Sequence, residues 1–256
     1  MIDAAALRAR LADVRARIAR AAGRAGRDPA SVRLIAVSKT FPAELVRAAA
    51  AAGQIDFGEN RVQDALLKMD QTADLALRWH LVGHLQSNKA KRAARFDVVH
   101  SIDAAALVHK LDEAADAARR RLDLLVQVDI AGEATKHGAR EDELSAIVQA
   151  ARSARSCRCV GLMIIPPAVD DPEAARPYFR ALRDLRERLL ARGVDASMLQ
   201  ELSMGMSYDF EVAVEEGATM VRVGTAIFGG RTQRLAPALL PNRVASDKAE
   251  RGDDRL

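Results

Sequence analysis

From residue 32 onward, short apolar runs alternate along the chain with longer amphipathic stretches. The runs are VRLIAVSKT, QIDFGEN, RWHLVGHLQ, DVVHSID, LDLLVQVDI, CVGLMIIPP, LQELSMGMS and MVRVGTAIFG. Near-continuous apolar runs of this length read as strands buried on both faces of a parallel sheet. Between them, residues 42–52, 61–73, 88–95, 104–120, 141–154, 172–192 and 208–216 carry helix-like period and composition. Pro42, Asp103 and the Asp171-Pro172 pair supply start signals for three of these helices. Eight such β/α units in about 250 residues predict a closed, single-domain (β/α)8 barrel of the TIM type rather than an open sheet. No G-x-G-x-x-G follows the first run, so a doubly wound dinucleotide fold has little support. Ahead of the first run, Leu7, Leu11, Val14 and Ile18 recur at helical spacing and predict an extra N-terminal helix packed on the barrel. No linker rich in Gly, Pro or Ser divides the chain. The predicted barrel domain spans 1–241, and 242–256 is a polar, flexible tail.

Composition narrows the function classes. The chain has 256 residues, 49% hydrophobic and 29% charged, enough for one large core. No apolar stretch has membrane-spanning length, and the N-terminus lacks a secretory apolar run. The Arg- and Ala-rich segment 3–22 contains acidic residues and no serine, unlike a transit peptide, so the cytoplasm is the expected location. The net charge of +4 is no argument for nucleic acid, because aromatic content is 4% and arginines are mixed with acids, as in DLRERLLAR. Cys157 and Cys159, with a single residue between them, cannot readily form a relaxed disulfide, and no second Cys pair completes a zinc site, so they read as buried or edge thiols.

Candidate chemistry collects where the runs end. Lys39 stands at the end of the first run, and only 7 of the 39 basic residues are lysines. A lysine kept near apolar walls is partly desolvated and presents free amine to a carbonyl. The seventh run ends in Ser203, Gly205 and Ser207, a source of hydroxyls and accessible backbone where phosphate commonly binds in barrels. Ser207 reads equally as the cap of a helix starting near Tyr208. Arg222 is flanked by valines inside the eighth run, so its guanidinium needs an acceptor, either a barrel carboxylate or a bound anion. Gly224 and Thr225 then open a short loop with N–H groups and a hydroxyl. Asn60 ends the second run at the same mouth, with His84, Gln86, Ser87 and Asn88 after the third and Lys136 after the fifth.

The motifs AVSKT, FGENRVQDA, WHLVGHLQSNKAK and LSMGMSYDFEVAVEEGATMVRVGTAIFG, in this order, closely resemble the YggS/PROSC family of pyridoxal-phosphate-binding proteins across residues 5–231. The resemblance implies a barrel like the N-terminal domain of alanine racemase, with pyridoxal 5'-phosphate (PLP) held as an internal aldimine on Lys39. It implies that Ser207, Gly224 and Thr225 hold the phosphate, that Arg222 faces the pyridine nitrogen, and that Asn60 lies beside the ring. The implied role is non-enzymatic control of intracellular PLP supply, with PLP-dependent apoenzymes as recipients and no metal. Tyr208 departs from the family pattern, where a smaller or acidic residue is expected, and Met163-Ile164-Ile165 is a variant strand. Two alternatives stay open: a PLP-dependent racemase whose second base is Tyr208, His84 or Lys136, and an aldolase whose lysine binds substrate carbonyls directly. In the alanine racemases that the barrel resembles, the second base comes from a separate β-domain of the partner subunit, and the expectation from length is that this chain does not supply one.

Overall fold

The structure is a computed structural model that describes residues 4–132 and 137–230. Eight parallel strands close into a barrel in sequence order: β1 (Arg33–Val37), β2 (Asp56–Glu59), β3 (Arg78–Leu81), β4 (Val98–Ile102), β5 (Leu122–Gln127), β6 (Cys157–Met163), β7 (Glu201–Met206) and β8 (Met220–Val223). β8 closes on β1 with Ile35 opposite Arg222 and Ala36 opposite Val223. All eight apolar runs contain a strand, as the alternating pattern predicts.

The helices are α1 (Ala4–Arg24), α2 (Ala43–Ala51), α3 (Val62–Gln71), α4 (Ala90–Ala93), α5 (Ala105–Ala117), α6 (Leu144–Ser153), α7 (Arg176–Ala191), α8 (Phe210–Glu215) and α9 (Thr225–Phe228). α1 is the predicted extra helix. It buries Leu7, Leu11, Val14 and Ile18 and packs against α2, α8 and α9, where the ring of helices closes. Arg17 ties it down with two hydrogen bonds to Glu211, at 3.2 and 3.3 Å, while its guanidinium lies 4.7 Å from the Phe210 ring centre. Strand eight stops at Val223, before the Gly224–Thr225 loop read from the sequence, and that loop proves to be a single helical turn over Thr225–Phe228.

The two ends of the barrel differ chemically. At the N-terminal end the first or second residues of six strands carry charge and pair across it. Arg33 lies 3.4 Å from Glu201 and 4.0 Å from Asp56, and Asp123 pairs with Arg78 at 3.0 Å and Arg158 at 2.9 Å. Above this rim, Ile35, Val98, Leu125, Val160, Met163 and Met220 fill the lumen. The strands' C-terminal ends open instead onto a cavity, the usual place for chemistry in this fold.

Three ladders slip by one residue. Between the Ser203–Met220 and Met206–Arg222 pairings, β7 advances three residues while β8 advances two. A similar slip places His100 and Ser101 of β4 opposite Leu125 of β5, and a third lies between Leu124 and Leu125 against β6. Such bulges turn side chains out of the regular alternation.

Cys157 and Cys159 are free and buried in β6, as read from the sequence. Burial pushes their thiols up to about 12 and about 11, so they stay protonated at neutral pH. Among the described residues no helix is long and apolar enough to cross a membrane. The predicted tail 242–256, and with it the domain boundary at 241, lies outside the described residues.

Candidate ligand-binding site

A cavity of about 270 Å³ opens at the C-terminal mouth, lined by Lys39, Asn60, Ser207, Arg222, Gly224 and Thr225 together with Val37, Val82, Ile165, Met206 and Tyr208. The fold thus brings all six sequence-derived candidates to one space. Each arrives by a different local device.

Lys39 sits two residues beyond the end of β1. Ser38 is buried, but Lys39 itself is exposed, so the expected partial desolvation of its amine is not what the structure shows. The reason is geometric: β1 ends at Val37, and the turn lifts Lys39 past the apolar rim. The next residue, Thr40, has φ +70°, a left-handed conformation that a β-branched residue adopts at a cost of roughly 1–3 kcal/mol. Backbone strain beside the one lysine that lines the cavity among the described residues marks this turn as held by its surroundings.

What holds it is a buried polar brace. Ser38 Oγ donates to Glu59 Oε1 at 2.8 Å, and Lys68 of α3 donates to the Ser38 carbonyl at 2.7 Å and to the same Glu59 oxygen. Glu59 immediately precedes Asn60, so one ion pair fixes the ends of both β1 and β2. Asn60 is further confined by Gly83: a Cβ there would lie 2.3 Å from the Asn60 carbonyl oxygen. Only glycine lets the loop after β3 approach so closely.

The Ser207 hydroxyl accepts hydrogen bonds from the Gly224 N–H at 3.0 Å and the Ala226 N–H at 3.4 Å. It is therefore not the cap of α8, which starts at Phe210 after Asp209. Gly205 makes this possible. It has φ +90°, and a Cβ would meet Phe210 Cα at 2.9 Å, so β7 turns tightly against α8. The outcome is a compact set of hydroxyls and N–H groups at the ends of β7 and β8, the donor chemistry that an oxyanion takes. Ser203, grouped with Ser207 from the sequence, is instead fully buried inside the barrel.

Arg222 is 4% exposed and borders the cavity floor. Its Nη1 donates to Ser203 Oγ at 2.7 Å and its Nη2 to the Ile164 carbonyl at 2.8 Å. The barrel-carboxylate reading of Arg222 fails, because no salt bridge to it occurs among the described residues; the negative field of Asp209 favours its charge from a distance and only partly offsets burial. Burial pulls the guanidinium down to about 10, still protonated at neutral pH. Burial likewise raises the Asp209 carboxyl, whose oxygen accepts from the Met206 N–H. Two of the five N–H donors of a guanidinium are engaged, which leaves donors for a ligand.

The other candidates fall elsewhere. His84 lines a neighbouring cleft that shares Asn60 with this cavity. It stacks on His137 with ring centres 3.6 Å apart and planes at 8°, and lies 3.5 Å from Asp103. Burial and the His137 charge depress the His84 imidazole. Two parallel rings at that separation cannot both hold one ion in their planes, so the trio is a stack rather than a coordination sphere. Tyr208 borders the cavity, but its hydroxyl donates to the Asp170 carbonyl. Lys136 lies outside the described residues. The sequence reading missed Val82, Ile165 and Met206 as cavity walls, and Ser38, Glu59 and Lys68 as the brace. A lysine on the apolar face of 61–73 was the available signal for the brace.

Comparison with known proteins gives a consistent result. The family model described as alanine racemase, N-terminal domain, matches residues 2–232. The chain is 46% identical over 223 residues to a pyridoxal phosphate homeostasis protein of Pseudomonas aeruginosa, covering 86% of this chain and 94% of that one. A protein of the same name from Aquifex aeolicus is 42% identical over 223 residues, covering 87% and 97%. Among solved structures, PipY of Synechococcus elongatus PCC7942 with PLP bound superposes with a TM-score of 0.77 at 40% identity, covering 87% of this chain and 100% of PipY.

Proposed function

The chain belongs to the family of pyridoxal phosphate homeostasis proteins, built on the alanine racemase N-terminal domain, and on that premise we propose that it binds PLP reversibly through Lys39 and serves intracellular PLP supply without catalysing a reaction. When bound, the cofactor supplies an aldehyde that condenses with a lysine amine and a ring that withdraws electrons. The observation that carries the reading is the cavity itself: an exposed lysine amine and a buried guanidinium without an ion-pair partner among the described residues open onto one space. The residues fit the group. Lys39 Nζ is free to reach the aldehyde, Ser207 with the Gly224 N–H and the Thr225 hydroxyl suits the phosphate, and Asn60 flanks the ring.

Arg222 gives the physical argument against catalysis. A guanidinium facing the pyridine nitrogen donates to it and keeps it unprotonated, which weakens the ring as an electron sink. A racemase also needs a second base across the ring. The Tyr208 hydroxyl is committed to Asp170, and His84 borders the adjacent cleft rather than this one. The exposed mouth, with Ile165, Met206 and Tyr208 around it, suits transfer of PLP to apoenzymes better than a water-free reaction site.

The absorption spectrum tests the reading. PLP added to the protein should give a visible band that borohydride traps on Lys39, and Lys39→Ala should abolish both band and adduct. A colourless wild-type protein at saturating PLP refutes PLP binding. Exchange of the Cα proton of amino acids above the rate with free PLP would refute the non-catalytic part.

A further inference from the structure

A chain of hydrogen bonds crosses the barrel lumen behind Arg222. From Arg222 Nη1 it passes to Ser203 Oγ at 2.7 Å, to His100 Nδ1 at 2.9 Å, from His100 Nε2 to His80 Nδ1 at 2.9 Å, and from His80 Nε2 to Asp56 Oδ1 at 2.8 Å. Ser203, His100 and His80 are all 0% exposed. β7 and β4 are not neighbours in the barrel, so the Ser203–His100 link spans the interior. The ladder slips at β4 and β7 occur at these same places. One end of the chain lies under the cavity; the other is the first residue of β2, in the charged rim.

The chemistry of the two ends fixes every proton between them. A guanidinium only donates and a carboxylate only accepts. Asp56 only accepts, so a neutral His80 carries its proton on Nε2 and accepts at Nδ1 from His100 Nε2–H; a neutral His100 then accepts at Nδ1 the proton of Ser203, whose oxygen accepts from Arg222. This assignment satisfies each atom with both imidazoles neutral. Buried polar chains of this kind are rarely the most stable filling of a core, since apolar side chains of similar volume often do as well or better. The lumen around it is already filled by six apolar residues, so stability alone does not account for the chain.

We propose that Ser203, His100, His80 and Asp56 are positioning residues for Arg222, holding its guanidinium at one pitch beneath the cavity. Resting on the PLP reading above, this pitch fixes which N–H faces the pyridine nitrogen. Each link has one direction, so breaking any of them leaves a buried group unpaired and loosens the hold on Nη1, with the Nη2 bond to the Ile164 carbonyl as the remaining tether.

Two measurements on the full-length protein separate this proposal from the reading beneath it. The first needs no cofactor: ¹⁵N-histidine NMR of the ligand-free protein should find His80 and His100 both as Nε2–H tautomers, and Ser203→Ala should move the His100 Nδ1 signal. An Nδ1–H tautomer at either ring overturns the chain. The second is a PLP titration followed by absorbance. His100→Leu should shift the visible band and weaken binding about tenfold, the size of one lost buried hydrogen bond to a charged network. His100→Gln keeps an acceptor for Ser203 and a donor for His80, so it should bind within about threefold of wild type. A wild type without the band refutes PLP binding, whatever the tautomers. A wild-type band with His100→Leu unchanged in position and affinity refutes the positioning role. Ser203→Ala against Ser203→Thr makes the same comparison if His100→Leu does not fold.

Discussion

At the scale of single residues, the site divides into groups with separable jobs. Lys39 and Arg222 lie at the ends of β1 and β8, which pair directly, while Ser207 reaches the same mouth from β7 through the Gly205 turn. If the Ser207 hydroxyl and the N–H groups it now accepts from serve the phosphate, Ser207→Ala should weaken PLP binding about tenfold and leave binding of pyridoxal, which lacks the phosphate, unchanged. Parallel absorbance titrations with the two aldehydes measure this, and equal losses for both would refute the phosphate role. The sequence made these residues legible because each breaks a local rule: a cation in an apolar strand, a lysine in an arginine-rich chain. It misled on Ser203, which shares the SMGMS run with Ser207 but faces the lumen. Which serine faces where depends on a one-residue bulge that local pattern does not encode.

At the scale of elements, the mouth is built from loops that are braced from outside the barrel. α3 sends Lys68 under the ends of β1 and β2, where Glu59 accepts from both Ser38 and Lys68 while its Oε2 has no hydrogen-bond partner among the described residues. Removing one partner of a buried pair leaves the other charge uncompensated, whereas removing both is often neutral. Lys68→Met should therefore destabilise the fold by about 3 kcal/mol, lowering Tm by roughly 10 °C, and Glu59→Gln with Lys68→Met should recover at least half of that loss. Calorimetry of the three proteins decides it; a double variant as unstable as the single one refutes the brace. The helices themselves were legible from period and start signals, α1 above all. The short turn α9 was not, because four residues after a strand carry too little periodicity to separate helix from extended chain.

At the scale of the whole molecule, the alternation of apolar runs and amphipathic helices was enough to specify a closed barrel, because eight strands covered by helices have few other ways to bury both faces. The lumen was not legible: His80 and His100 look like isolated polar residues in apolar strands until the barrel brings them within 2.9 Å of each other. Their burial has a consequence for the whole fold. Removal from water pushes both imidazoles down; Asp56 opposes this at His80, while Arg33 and Arg78 add to it at both rings and Arg222 adds to it at His100. A histidine depressed in the folded state contributes stability that is present above the unfolded value of about 6.5 and is lost as pH falls below it, because the unfolded chain takes up protons the barrel refuses. Carboxylates titrate nearer 4 and stay out of the upper part of this window. The ligand-free protein should therefore lose roughly 5 °C of Tm or more between pH 7.5 and pH 5.5, with the loss setting in near pH 6.5. His80→Gln with His100→Gln should start from a lower Tm and show a flatter slope over the same range, since neither position can then bind a proton in the unfolded state. Thermal melts at half-unit steps resolve the two curves. A wild-type Tm that is level across this range, or a double variant with the wild-type slope, would mean that the imidazoles of the lumen do not carry the acid sensitivity of the fold.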